Sequence, residues 1–140
     1  RQDRRADRPL DRSGEKGTVM SEQEYARFGD MKMFMHHIYE FKKGVRSLVL
    51  CTMCRTCASI VAERLRGQQI GYMIQEVSEK KVNLYFGKQE CLDAVKTFIH
   101  KPLNRLSPEE DFMLGAMLGY DISMQCRRYC DRKSMRKATA

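Results

Sequence analysis

No apolar run in this chain of 140 residues approaches the roughly 18 residues that a membrane span requires. The opening residues are charged rather than apolar, so no export signal is expected, and the cytoplasm is the expected compartment. Phosphate-binding glycine loops are missing as well. Neither Gly67-Gln-Gln-Ile-Gly71 nor Gly87 has the Gly-Lys-Ser/Thr or repeated-glycine context that a phosphate cradle needs. No internal repeat is evident. Prolines number three, and two of them punctuate helices: Pro102 closes one and Pro108 opens another.

With 42% hydrophobic and 31% charged residues, the chain has the composition of a globular domain, and its length suffices to bury a core without staples. Six cysteines in close clusters, without an export signal, read as reduced thiols rather than as an extracellular disulfide framework. The net charge of +8 is uneven. Residues 1–30 carry seven basic and seven acidic groups, residues 31–126 thirteen against ten, and residues 127–140 six against Asp131 alone. The basic character is therefore mostly a C-terminal tail, which attracts polyanions or simply serves as a solvated helix end.

Residues 1–19 hold only one Val and one Leu as large apolar groups, too few to offset the entropy of ordering, so residues 1–30 are expected to be a flexible charged extension. A single α/β domain is expected over 31–133, followed by a flexible basic tail at 134–140. From Met31, the spacing of Met31, Phe34, Met35, Ile38 and Phe41 predicts a helix ending at Gly44, although Met31, Met33 and Met35 also alternate as in a strand. Val45–Cys51 reads as a central strand. Thr52 then caps a helix whose apolar face is Cys54, Cys57, Ala58, Val61 and Leu65, with Gly67 at its end.

Ile70–Val77 and Val82–Phe86 flank Ser78–Lys81 as a hairpin. Pairing Val77 with Val82 puts Tyr72, Ile74, Glu76, Asn83 and Tyr85 on one face, half apolar and suited to a dimer interface at Tyr72, Ile74 and Tyr85. Cys91, Leu92, Val95, Phe98 and Ile99 fit a further helix. Ser107-Pro-Glu-Glu110 spells a capping box with proline at the first helical position. Asp121 caps a last helix bearing Ile122, Cys126, Tyr129 and Cys130 on one face. The expected fold is α/β, a three-stranded sheet with about five helices in the order α-β-α-β-β-α-α-α.

The stretches MHHIYEFKKGVRSLVL (35–50), KVNLYFG (81–87) and PEEDFMLGAMLGYD (108–121) resemble a bacterial family of small proteins classed as a domain of unknown function, over about residues 33–132. The resemblance implies three strands and five helices, a homodimer and no assigned activity. It also points to a flavodoxin-like protein as a partner.

Candidate chemistry centres on Cys51-Thr-Met-Cys54-Arg-Thr-Cys57, thiols at two-residue spacing. As core, they pack as small hydrophobes on the stripe of Val61 and Leu65. As metal ligands for zinc or an iron–sulfur cluster they need a fourth donor, drawn from Cys91, Cys126 or Cys130, the last two converging on one helical face. As a redox pair, Cys51 and Cys54 sit where a helix N-terminus stabilises a thiolate, though no thioredoxin-like pattern surrounds them. The core reading leads, with no metal and no cofactor expected. Cys51, Cys54, Cys57, Cys126 and Cys130 are the alternative metal set.

Adjacent His36 and His37, with Tyr39 and Glu40, diverge on a helix or strand and read as structural, hydrogen-bonded histidines. No nucleophile pairs with them at a recognisable spacing, so no catalytic residue is assigned. The leading functional expectation is a non-enzymatic homodimeric accessory module that docks an acidic flavodoxin-like protein through Arg127, Arg128, Arg132 and Lys133. Nucleic-acid binding by the basic tail is disfavoured, because interleaved aromatics and any recognised nucleic-acid signature are lacking.

Overall fold

Val82–Gly87 are buried without a break, a pattern that only a strand covered on both faces and flanked on both sides can have. In the computed structural model, which describes residues 21–139, that strand is the middle of the sheet. The elements are α1 (Glu22–Lys42), β1 (Leu48–Cys54), α2 (Arg55–Gly67), β2 (Gly71–Glu76), β3 (Lys81–Gly87), α3 (Gln89–Lys96), a 3-10 turn (Leu103–Arg105), α4 (Pro108–Met117) and α5 (Ile122–Thr139). The three strands lie antiparallel in the order β1-β3-β2. Fold class and element order agree with the sequence.

Strand pairing sorts the side chains into two cores. Val49, Cys51 and Met53 lie beside Phe86, Leu84 and Val82, and with Phe34 and Ile38 of α1 and Cys57, Val61 and Leu65 of α2 they fill one side of the sheet. The rings of Phe34 and Phe41 both meet Phe86 edge-on, with centroids 5.7 and 6.0 Å apart. On the other side Leu48 and Tyr85 pack with Leu92 and Val95 of α3, Phe98, Leu106, and Leu114 and Leu118 around α4.

A polar ladder crosses this second side. Thr52 donates to Asn83 (2.7 Å), and Asn83 and Tyr85 donate to the amide oxygen of Gln75 (3.0 and 3.2 Å). Gln75 donates in turn to the carbonyls of Ile99 and Lys101 (2.8 and 2.9 Å), so the buried amide is saturated and pins the segment after α3 to the sheet. Burial pushes the Tyr85 phenol up to about 12.

Several expectations are corrected. The strand expected to be central, Val45–Cys51, runs instead from Leu48 to Cys54 and pairs with β3 alone among the described residues. Val45 stands exposed before it. Thr52 is accordingly a strand residue, and Cys54 caps α2.

The hairpin register also differs by one. Glu76, not Val77, lies opposite Val82, which moves Tyr72 and Ile74 to the α1/α2 side and leaves Tyr85 on the other, fully buried. Tyr72, Ile74 and Tyr85 therefore do not share a face.

The expected extension, residues 1–30, is helical from Glu22, where Glu, Gln, Ala and Arg favour a helix without supplying the apolar stripe that marks one. Its residues 1–20 lie outside the described residues. At the other end the expected tail from Ser134 continues α5 to Thr139, since Ser-Met-Arg-Lys-Ala contains no helix breaker.

Other local signals held. Ser107 accepts from the Glu110 N–H (3.1 Å) while Glu110 accepts from the Ser107 N–H (2.9 Å), and Asp121 accepts from the Met124 N–H (3.0 Å) at the start of α5. Gly115 lets Gln125 of α5 lie against α4.

Gly87 closes the middle strand with φ of 151°, and a Cβ there would stand 2.3 Å from the Ser47 carbonyl oxygen. Gly87→Ala should therefore lower the unfolding free energy by about 2 kcal/mol or more. Gly67→Ala, at a helix end with nothing within 4 Å, should leave it unchanged or raise it by less than about 1 kcal/mol. Urea unfolding of the two variants checks the contrast, and equal effects would contradict the close packing at Gly87.

Candidate functional site

The junction of β1 and α2 positions the thiols. Along β1 the side chains alternate, so Cys51 and Met53 enter the core beneath α1 and α2. The chain then turns at Cys54, whose φ of −71° and ψ of 157° are extended, and Arg55 begins the helix. Cys54 does what serine or aspartate usually does at this position: its sulfur accepts the N–H of Cys57 at 3.4 Å. Cys57, on the first turn, is buried, while Cys54 is half-buried at the rim.

Asp30 reaches this point from α1. One carboxylate oxygen of Asp30 and the sulfurs of Cys54 and Cys57 all lie within 4.8 Å of one another. Among the described residues no other three metal-ligating side chains have their ligand atoms all within 4.8 Å of one another.

The two sulfurs differ electrostatically. Burial raises the Cys54 thiol, but the hydrogen bonds from the Cys57 N–H and thiol outweigh it and hold Cys54 below the ordinary thiol range. For Cys57, burial, the hydrogen bond to Cys54 and the nearby Cys54 and Asp30 charges all act upward, to about 12. Its sulfur also stands 4.0 Å from the Arg27 carbonyl. Burial likewise pushes Cys51 up to about 11.

Arg55, between the two cysteines, locks the junction in place. Its guanidinium forms a fork on Glu76 (Nη1 to Oε2 2.9 Å, and Nη2 to Oε1) and donates to the Glu79 and Ser78 carbonyls at 2.5 and 2.8 Å. Its backbone N–H donates to Lys80 at 3.3 Å. The start of α2 is thereby tied to the β2–β3 turn, and the bidentate pair holds Glu76 below the usual carboxylate range.

The remaining sequence candidates are placed as follows. The two thiols at the helix N-terminus are Cys54 and Cys57, not Cys51 and Cys54, because β1 continues three residues further than its apolar run. The larger metal set does not assemble. Cys126 and Cys130 lie exposed on α5, which packs on α4 on the far side of the sheet, in an apolar groove of about 410 Å³ with Phe112, Met113 and Tyr129. Cys91 is half-buried on α3.

His36 and His37 do converge, on Glu40, at 3.6 Å each, too long for hydrogen bonds. Arg46 stands 3.3 Å from the same carboxylate. Burial and then the Arg46 charge lower His37.

Three of the four basic residues nominated for partner binding are engaged within the fold. Arg128 bonds Asp111 (2.6 and 3.3 Å), Arg132 meets Asp111 at 3.4 Å and donates to the Leu106 carbonyl at 2.9 Å, and Lys133 pairs with Glu109 at 2.6 Å. Tyr129 adds a bond to Glu109 (3.2 Å) and an edge-on contact with Phe112. The acidic first turn of α4 is thus the partner of these cations, and Arg127 stands exposed beside them. Asp30 had no signal in the sequence, since its role depends on how α1 lies over α2.

With these positions set, comparison with known proteins identifies the chain. The family described as Protein of unknown function (DUF2023) matches residues 32–132, and the chain belongs to that family. No curated protein matches it.

If α5 is held by these ion pairs, Asp111→Ala should lower the melting temperature and speed amide exchange across 122–133, with the loss shrinking as salt rises. Unchanged exchange would show that the arginines are available for other partners.

Proposed function

We propose that this member of the family works as a dithiol–disulfide protein, with Cys54 as the attacking sulfur and Cys57 as the resolving one. The observation that supports it is the arrangement on the first turn of α2. A rim-exposed sulfur receives a backbone N–H at the helix N-terminus, and a second, covered sulfur lies within 4.8 Å of it. The non-enzymatic docking module expected from the sequence has less support, since Arg128, Arg132 and Lys133 have acidic partners within the fold and Tyr85 is buried.

The proposed exchange proceeds in two displacements. The Cys54 thiolate attacks one sulfur of a disulfide substrate. A mixed disulfide forms, and the other substrate sulfur leaves as a thiolate that takes up a proton. Cys57, losing its proton, then attacks the Cys54 sulfur. The Cys54–Cys57 bond forms, the mixed disulfide breaks, and the second substrate sulfur departs as a thiol. The protein is oxidised by two electrons and the substrate disulfide is reduced by two.

The test uses the full-length reduced chain in graded glutathione redox buffers, quenched by alkylation and read by mass spectrometry. The expected oxidised form has lost two hydrogens and carries a Cys54–Cys57 disulfide, and Cys57→Ser should accumulate a glutathione adduct on Cys54. A chain that keeps six free thiols in oxidising buffer, or that links other cysteines first, contradicts the reading.

A further inference from the structure

We infer that the reduced Cys54 and Cys57, together with Asp30, bind one borderline-soft divalent cation of the zinc class. This goes beyond the disulfide chemistry and does not require it, and it departs from the sequence expectation of no bound metal.

The donors come from two elements that the core already holds together. Cys54 and Cys57 occupy the cap and first turn of α2, and Asp30 lies on α1, one turn before Phe34 in the core shared by the two helices. Their ligand atoms fall within 4.8 Å of one another. Two thiolates on a tetrahedral zinc with bonds of about 2.3 Å stand about 3.8 Å apart. A contraction of at most about 1 Å brings the two sulfurs to that spacing.

Donor chemistry narrows the occupant. Calcium and magnesium take all-oxygen shells, so two sulfurs exclude them. Iron–sulfur clusters are held by four cysteines, and among the described residues only two reach this point. Two thiolates with one carboxylate suit zinc and its close relatives.

Three negative donors exceed the charge of the cation by one. The Cys57 N–H, which already donates to the Cys54 sulfur, and the positive end of the α2 dipole stabilise that excess. Three protein ligands leave a fourth position for water or an incoming ligand, as in an open site rather than a closed structural one. The fold should therefore persist without metal, because the apolar core joins α1 to α2. Oxidation to a disulfide removes two of the three donors, so metal and disulfide exclude one another.

The experiment dialyses the full-length, metal-free, reduced chain against micromolar Zn²⁺ and follows Co²⁺ by its thiolate charge-transfer and tetrahedral d–d absorption. One Zn²⁺ per chain is expected, with an unchanged far-ultraviolet circular dichroism spectrum. Cys54→Ser should abolish binding, and Asp30→Ala should weaken it by more than about tenfold. The Cys126→Ser/Cys130→Ser double variant should bind normally.

Retention of no stoichiometric metal, binding indifferent to Asp30 or Cys54, or binding lost with Cys126 and Cys130 overturns the assignment. A chain that binds Zn²⁺ when reduced but forms no Cys54–Cys57 disulfide in oxidising buffer sinks the redox reading and leaves this one standing.

Discussion

Burial of β3 on both of its faces is the constraint from which the rest of this structure follows. A strand enclosed in this way must send Val82, Leu84 and Phe86 to one core and Tyr85 to the other, and its neighbours take their register from it. β1 then has no choice but to turn Val49, Cys51 and Met53 toward α1 and α2. The close approach of Gly87 to Ser47 and Leu48 marks where β1 begins, and its pairing with β3 runs on to Cys54, opposite Lys81. Three thiols that look equivalent in sequence thereby acquire three different environments: a core strand position, a helix cap and a covered first turn.

The junction that results is held by polar contacts at the sheet's end as well as by the core. Arg55 connects the start of α2 to Glu76 and to the carbonyls of the β2–β3 turn, and this fixes the orientation of the N–H that Cys54 accepts. Charge elsewhere is also turned inward. The cationic face of α5 neutralises Glu109 and Asp111, so a net charge of +8 overstates what the α4–α5 face offers to a partner.

How much of this was legible in the sequence depended on the range of the interactions involved. The capping box at Ser107, the cap at Asp121 and the helix stop at Gly44 are each written within four residues, and the structure has all three. Element order followed from periodicity. The hairpin register was not legible, because Gly71–Val77 is half apolar on both alternations and either pairing buries a plausible set. Only the two-sided burial of β3 and the bonds of Gln75 to the segment at 99–101 decide between them. Cys54 as a cap was hidden because the apolar run ends at Cys51 while the strand pairs three residues further. Asp30, set in a charged segment without an apolar stripe, has meaning only through the packing of α1 on α2.

The placement of the thiols is tested most directly by a short pulse of iodoacetamide on the native, reduced protein at neutral pH, resolved peptide by peptide. Cys54 should label early, together with the exposed Cys126 and Cys130 that serve as internal standards, while Cys51 and Cys57 stay unmodified until the protein is unfolded. Labelling of Cys57 as fast as Cys54, or protection of Cys54 to the level of Cys51, would contradict the junction described above.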